Sequence, residues 1–284
     1  MWSGRKKTIF NLMKKEKRKN LENKAKELRR QIIKMIYKAK ASHIASAYSI
    51  LEILVYLYDS VLRINPKKPK DLARDRFILS KGWAASAIYA VLADRGFFNM
   101  EELDSYCLDG SKFIGITTMS GVPGIEATTG SMGHGLPVGA GMALAGKKKK
   151  EKYRVFIAIS DGELDEGSTW EAIFFAGHNR LDNLIVIIDC NGWQSFGKTK
   201  DILDSEPLAE KFRAFKWETI EADGHDFNSL EKVFKNIPLK KGKPTAIIAR
   251  TVKGKGVSFI EDRNEWHYKY PDEEQFKKAL KELS

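Results

Sequence analysis

The sequence predicts an α/β fold: a doubly wound, mostly parallel sheet with helices on both faces. Three observations predict it. Arg154-Val-Phe-Ile-Ala-Ile159 and Leu184-Ile-Val-Ile-Ile188 are continuous apolar runs of strand length, so each strand needs cover on both faces. Between them, Ser168 to Asn179 repeats its apolar residues at helical spacing, which makes a βαβ unit. Thr245-Ala-Ile-Ile-Ala249 supplies a further strand of the same kind.

The other elements follow from periodicity and breakers. Residues 1–22 read as a polar, basic, loosely ordered extension, and residues 23–284 as one domain without internal repeat or long linker. Leu28, Ile32, Ile33 and Ile36 mark a helix within Leu21–Lys40. A more apolar helix runs from Ser46 to Leu62, where the Asn-Pro at 65–66 and Lys-Pro at 68–69 end it. Arg76-Phe-Ile-Leu79 is a short strand and Ala84 to Asp94 a helix. A glycine-rich stretch, Gly121 to Gly135, leads into a small-residue helix from Leu136 to Ala145, and Asp272 to Leu283 is a C-terminal amphipathic helix.

Composition excludes several classes. With 284 residues, 43% hydrophobic, the chain can bury a full core. No stretch approaches the roughly 20 apolar residues that span a bilayer, and Thr8 to Met13 is too short for a signal-peptide core, so a cytoplasmic protein is expected. Cys107 and Cys190 make no disulfide framework and no CxxC metal spacing; both are expected reduced and buried. The net charge of +12 is concentrated in Arg5–Arg30 and Lys147–Lys150. No aromatic residues interleave these lysines, so solvated helix faces explain the charge better than nucleic-acid binding does.

In open parallel sheets, ligands bind beyond the carboxyl ends of the strands. Asp161 and Asn191 follow two neighbouring predicted strands, 191 − 161 = 30 residues apart, the length of one βαβ repeat. A carboxylate, an amide oxygen and nearby carbonyls form a hard-oxygen set suited to Mg²⁺ or Ca²⁺, ions that complete their shells with phosphate oxygens. Gly162 would let a phosphate approach the backbone, and the helix starting near Ser168 adds N–H donors and positive dipole. Asp-Gly and Asn-Gly are also plain turn signals, so residue chemistry alone leaves a turn and a metal site both open.

The run Ser160-Asp-Gly-Glu-Leu-Asp-Glu-Gly-Ser-Thr-Trp-Glu171, with Ala176-Gly-His-Asn-Arg-Leu-Asp-Asn-Leu184 and Asp189-Cys-Asn-Gly192, resembles the thiamine-diphosphate motif of transketolases, Ser160 replacing the usual first glycine. Ser42-His-Ile-Ala-Ser-Ala-Tyr-Ser49, Arg74 to Ala84, Val122 to Gly135, Ala222-Asp-Gly-His-Asp226, Thr251 to Val257 and Trp266-His267 extend the resemblance over residues 25–284. It implies that Asp161, Asn191 and the Trp193 carbonyl hold Mg²⁺ or Ca²⁺ on the diphosphate. It further implies that Gly162, Gly130, Met132, His134, Glu166, Trp83 and His267 meet the cofactor, and that His43 and His267 act in catalysis, His43 on substrate hydroxyls.

The match stops where a full-length transketolase begins its pyrimidine-binding domain, the pattern of the N-terminal subunit of split transketolases. The family's activating glutamate belongs to that domain. The resemblance therefore implies a C-terminal partner subunit, an α₂β₂ assembly, and two-carbon transfer from a ketose phosphate to an aldose.

Two residues depart from the family. Trp83 and Ile116 stand where its motifs place imidazoles, the latter near the donor's terminal hydroxyl. An unpaired hydroxyl buried against Ile116 costs roughly 1–3 kcal/mol. Pyruvate or another 2-oxo acid is therefore an alternative donor, and a non-catalytic regulatory subunit is another alternative. Of the remaining histidines, His178 is expected to pack within its helix and His225 to serve its turn or support the site.

Overall fold

The computed structural model describes the backbone of residues 2–284 and the side chains of residues 15–284. Five parallel strands, β1 (Arg76–Leu79), β2 (Val155–Ser160), β3 (Leu184–Cys190), β4 (Glu218–Asp223) and β5 (Thr245–Arg250), form one sheet in the order β1-β2-β3-β5-β4. Ten α-helices accompany them among the described residues: α1 (Trp2–Ala39), α2 (Ile44–Ser49), α3 (Leu51–Tyr56), α4 (Ala85–Asp94), α5 (Gly135–Lys148), α6 (Gly167–His178), α7 (Thr199–Ile202), α8 (Leu208–Ala214), α9 (Phe227–Phe234) and α10 (Glu273–Glu282). None is long and apolar enough to cross a membrane.

Strand alternation sends side chains to two cores. Phe156, Ala158, Ile185 and Ile187 join one built with α1 to α4 and α9, whereas Val155, Ile157, Val186 and Ile188 join another built with α5, α6 and α8. Both faces of β2 and β3 are thus covered, as their unbroken apolar runs require.

Several elements differ from expectation. α1 reaches from Trp2 to Ala39, so the basic segment expected over 1–22 continues into the helix read from Leu21; the side chains of residues 1–14 lie outside the described residues. The helix expected from Ser46 to Leu62 is broken at Ile50 and ends in a π-turn over Leu57–Val61. At that break Ser49 Oγ donates to Asp189 Oδ2 at 2.6 Å, turning the end of α2 towards the strand tips. Cys190 is buried, but Cys107 is only half-buried. His178 does not pack: it is exposed as the last residue of α6.

One buried network ties the carboxyl edge of the sheet together. Lys81, just past β1, donates to Asp189 Oδ2 of β3 at 2.5 Å, with side-chain exposures of 1% and 0%. Thr251, just past β5, donates to the other carboxylate oxygen. Removing one member of such a pair strands a charge in the interior. Lys81→Met is expected to destabilise the chain by about 3–5 kcal/mol in urea titration, with part of the loss recovered when Asp189→Asn is added. A change below about 1 kcal/mol in the single variant would contradict that role.

Candidate functional site

A cavity of about 380 Å³ opens at this edge. Two loops that leave adjacent strands build its floor. Asp161 follows β2, Asn191 follows β3, and the backbone N–H of Asp161 donates to the Asp189 carbonyl at 3.3 Å, so the two turns lie side by side. Asp161 Oδ1 accepts from Gly162 N (3.0 Å) and Oδ2 from Gly192 N (2.7 Å), which stitches one turn to the other. Asn191 Oδ1 accepts from Trp193 N at 3.0 Å.

Burial, and then the charge of Asp189, push Asp161 up to about 7. A carboxylate held at 5% exposure beside a second carboxylate is the electrostatic setting that a divalent cation relieves. Asp161, the amide of Asn191 and nearby carbonyls supply the hard oxygens. A Cβ at Gly162 would meet Gln194 Cγ at 2.8 Å, so a larger residue there would displace the Gln194 side chain at the cavity.

The glycine-rich loop forms an adjoining wall. Gly130 holds φ 141, and a Cβ there would meet Ile116 Cγ2 at 3.1 Å. Gly133 N donates to Glu163 Oε1 at 3.1 Å, and Ser168 Oγ donates to the Gly133 carbonyl at 2.8 Å. The residues that follow Asp161 therefore clamp this loop. Glu163 is fully buried, burial pushes it up to about 7, and its Oε2 has no partner among the described residues.

The sequence-derived residues separate into three groups. His43, Trp83, Gly130, Met132, Gly162 and Glu166 line the cavity, as do Asn191, Trp193 and His267. Asp161 lies just beneath the lining. Ile116 and His134 do not line it: Ile116 packs on Gly130, 42% exposed, and His134 is exposed with Nδ1 2.9 Å from the Met132 carbonyl. His225 is structural, bridging Glu52 Oε2 (2.9 Å) and the N–H of Val252 (2.8 Å).

Sequence reasoning missed two lysines. Lys81 lines the cavity, and Lys253, 1% exposed, contacts Gln194 O, Asn264 Oδ1 and His267 Nδ1, all of them uncharged. Burial, and then Lys81, push Lys253 down to about 8. Burial, with these cations, lowers His43 to about 4 and His267 to about 3, so both rings are neutral at pH 7. His43 stands at φ 70, an uncommon backbone for a non-glycine residue, and its N–H donates to the His267 carbonyl at 3.0 Å. The ring centroids of the two histidines are 5.0 Å apart. Lys81 is neutralised by Asp189, but the Lys253 ammonium has only uncharged partners, and beside the neutral imidazole rings it favours an anion.

Comparison with known proteins agrees with this geometry. Residues 21–283 match the family model described as transketolase, thiamine diphosphate binding domain. The chain is 39% identical over 264 residues to a subunit of the apulose-4-phosphate transketolase of Phocaeicola vulgatus, covering 93% of this chain and 94% of that one. It is 38% identical to a subunit of the 6-deoxy-6-sulfo-D-fructose transketolase of Clostridium sp., covering 94% of this chain and 98% of that one. The structure of Campylobacter jejuni transketolase superposes with a TM-score of 0.87 at 30% identity; the match covers 93% of this chain but 42% of that longer one. The match to the family model over residues 21–283, together with these similarities, places the chain in the transketolase family, as the N-terminal subunit that carries the thiamine diphosphate binding domain.

Proposed function

We propose that this chain anchors thiamine diphosphate through a divalent cation, Mg²⁺ or Ca²⁺, held by Asp161, Asn191 and the Trp193 carbonyl. A cytoplasmic partner subunit with the pyrimidine-binding domain completes the site, in an α₂β₂ assembly. The complex then moves a two-carbon unit from a ketose phosphate to an aldose. The observation that carries this reading is the meeting of Asp161 and Asn191, from adjacent strand tips, at one cavity flanked by two buried lysines.

When bound, thiamine diphosphate supplies the carbanion-stabilising chemistry. The residues here bind and orient. Lys253, whose partners are all uncharged, offsets diphosphate charge, Gly130 and Gly162 leave room for close backbone approach, and His43 and His267, neutral at pH 7, offer hydrogen bonds to cofactor and substrate oxygens. Trp83 and Met132 supply apolar wall. Exposed Phe174 (61%), Phe175 (41%) and Val138 (44%), on helices that begin at the cavity loops, support a covering subunit. Ile116, the residue that suggests a 2-oxo-acid donor, does not line the cavity, so this second reading keeps only the apolar surface of Trp83 in its support.

Calorimetry with thiamine diphosphate and Mg²⁺ tests the anchor. Asp161→Ala is expected to weaken cofactor binding by more than about a hundredfold while the thermal unfolding temperature stays within a few degrees of wild type or rises. Unchanged affinity would overturn the site. With the partner subunit present, a ketose phosphate is expected to be turned over faster than pyruvate; turnover of pyruvate alone would replace the first reading by the second.

A further inference from the structure

We propose that Lys253 is a positioning residue that fixes His267 as the neutral imidazole carrying its proton on Nε2, so that His267 meets a ligand as a hydrogen-bond donor. An ammonium group has three N–H donors and no acceptor. Lys253 Nζ lies 2.9 Å from Asn264 Oδ1, 3.2 Å from the Gln194 carbonyl and 3.2 Å from His267 Nδ1. The orientation of the Asn264 amide is itself set, because its Nδ2 donates to the Ser195 carbonyl at 2.9 Å and leaves Oδ1 facing the ammonium.

Two of the three donors therefore meet oxygens that can only accept, and the third meets Nδ1, which must offer its lone pair. A neutral imidazole with a lone pair on Nδ1 carries its proton on Nε2. Both protonation states agree with this. Burial, reinforced by Lys253 and His43, holds His267 near 3, and Lys253 near 8 is still mostly ammonium at pH 7. Among the described residues no hydrogen bond engages His267 Nε2, and the residue lines the cavity. His43 differs: its Nδ1 lies 2.6 Å from Ser42 Oγ, a hydroxyl that can give or take a proton, so that contact selects no tautomer.

The consequence rests on the function proposed above. An Nε2–H in the cavity suits an anionic or hydroxyl oxygen of the bound cofactor or sugar, and a ring so reluctant to charge does not serve as a general base near neutral pH. The tautomer itself requires no ligand.

Two-dimensional ¹⁵N–¹H spectra of the full chain, labelled at histidine nitrogens and recorded at pH 7 before any cofactor is added, test this. His267 is assigned by its loss in His267→Gln. Wild type is expected to show a protonated Nε2 and an unprotonated Nδ1. Lys253→Met is expected to shift a substantial population to the Nδ1–H form, and Lys253→Arg, whose guanidinium also donates, to restore the wild-type pattern. A wild-type ring protonated on Nδ1, or a Lys253→Met spectrum unchanged at His267, would overturn the inference. Titration of the same samples with thiamine diphosphate and Mg²⁺ separates the two levels: failure to bind would strike the proposed function and leave the tautomer assignment standing.

Discussion

The active edge depends on holding charge in a place where water cannot screen it. Asp189 is fully buried and takes hydrogen bonds from Lys81, Ser49 and Thr251, which come from the ends of β1, α2 and β5. In a low-dielectric interior such a carboxylate tolerates little movement of its donors, because each lost hydrogen bond leaves charge uncompensated. Four chain segments are thereby brought to one point. Asp161 and Asn191 then inherit their positions from strands whose tips this network fixes.

The same network leaves a charge pattern that suits the chemistry. Asp161 is buried beside Asp189, whereas Lys253 is buried among neutral partners. The first arrangement favours a cation and the second an anion. A metal–diphosphate pair would carry both signs and would relieve both kinds of buried charge. The histidines, held neutral by burial and then by the neighbouring lysines, can supply hydrogen bonds without adding to the positive charge.

The central strands were legible because burial on both faces writes itself as unbroken apolar runs, as in Phe156 to Ile159 and Leu184 to Ile188. The edge strand β4 was not. Glu218-Thr-Ile-Glu-Ala-Asp223 pairs on one side only and keeps much of its surface in water, so its composition matches a loop. The short helices α8 and α9 were missed for a related reason: each turns only a few apolar residues inward. Asp161 and Asn191 could be found from spacing because strand tips repeat with the βαβ unit. Lys81 and Lys253 could not, since among 49 lysines and arginines nothing local distinguishes a buried ammonium from a solvated one. His134 and Ile116 mark the limit of motif reasoning: one is two residues from Met132 in the chain and the other packs on Gly130, yet both lie outside the cavity that Gly130 and Met132 line.

The most direct measurement is a crystal structure of the chain with thiamine diphosphate and Mn²⁺, the ion located by its anomalous scattering. One ion is expected, bound by the Asp161 and Asn191 side-chain oxygens, the Trp193 carbonyl and the diphosphate, with Lys253 alongside. An ion or diphosphate seated elsewhere, with Asp161 and Asn191 still bonded only to the backbone, would contradict it.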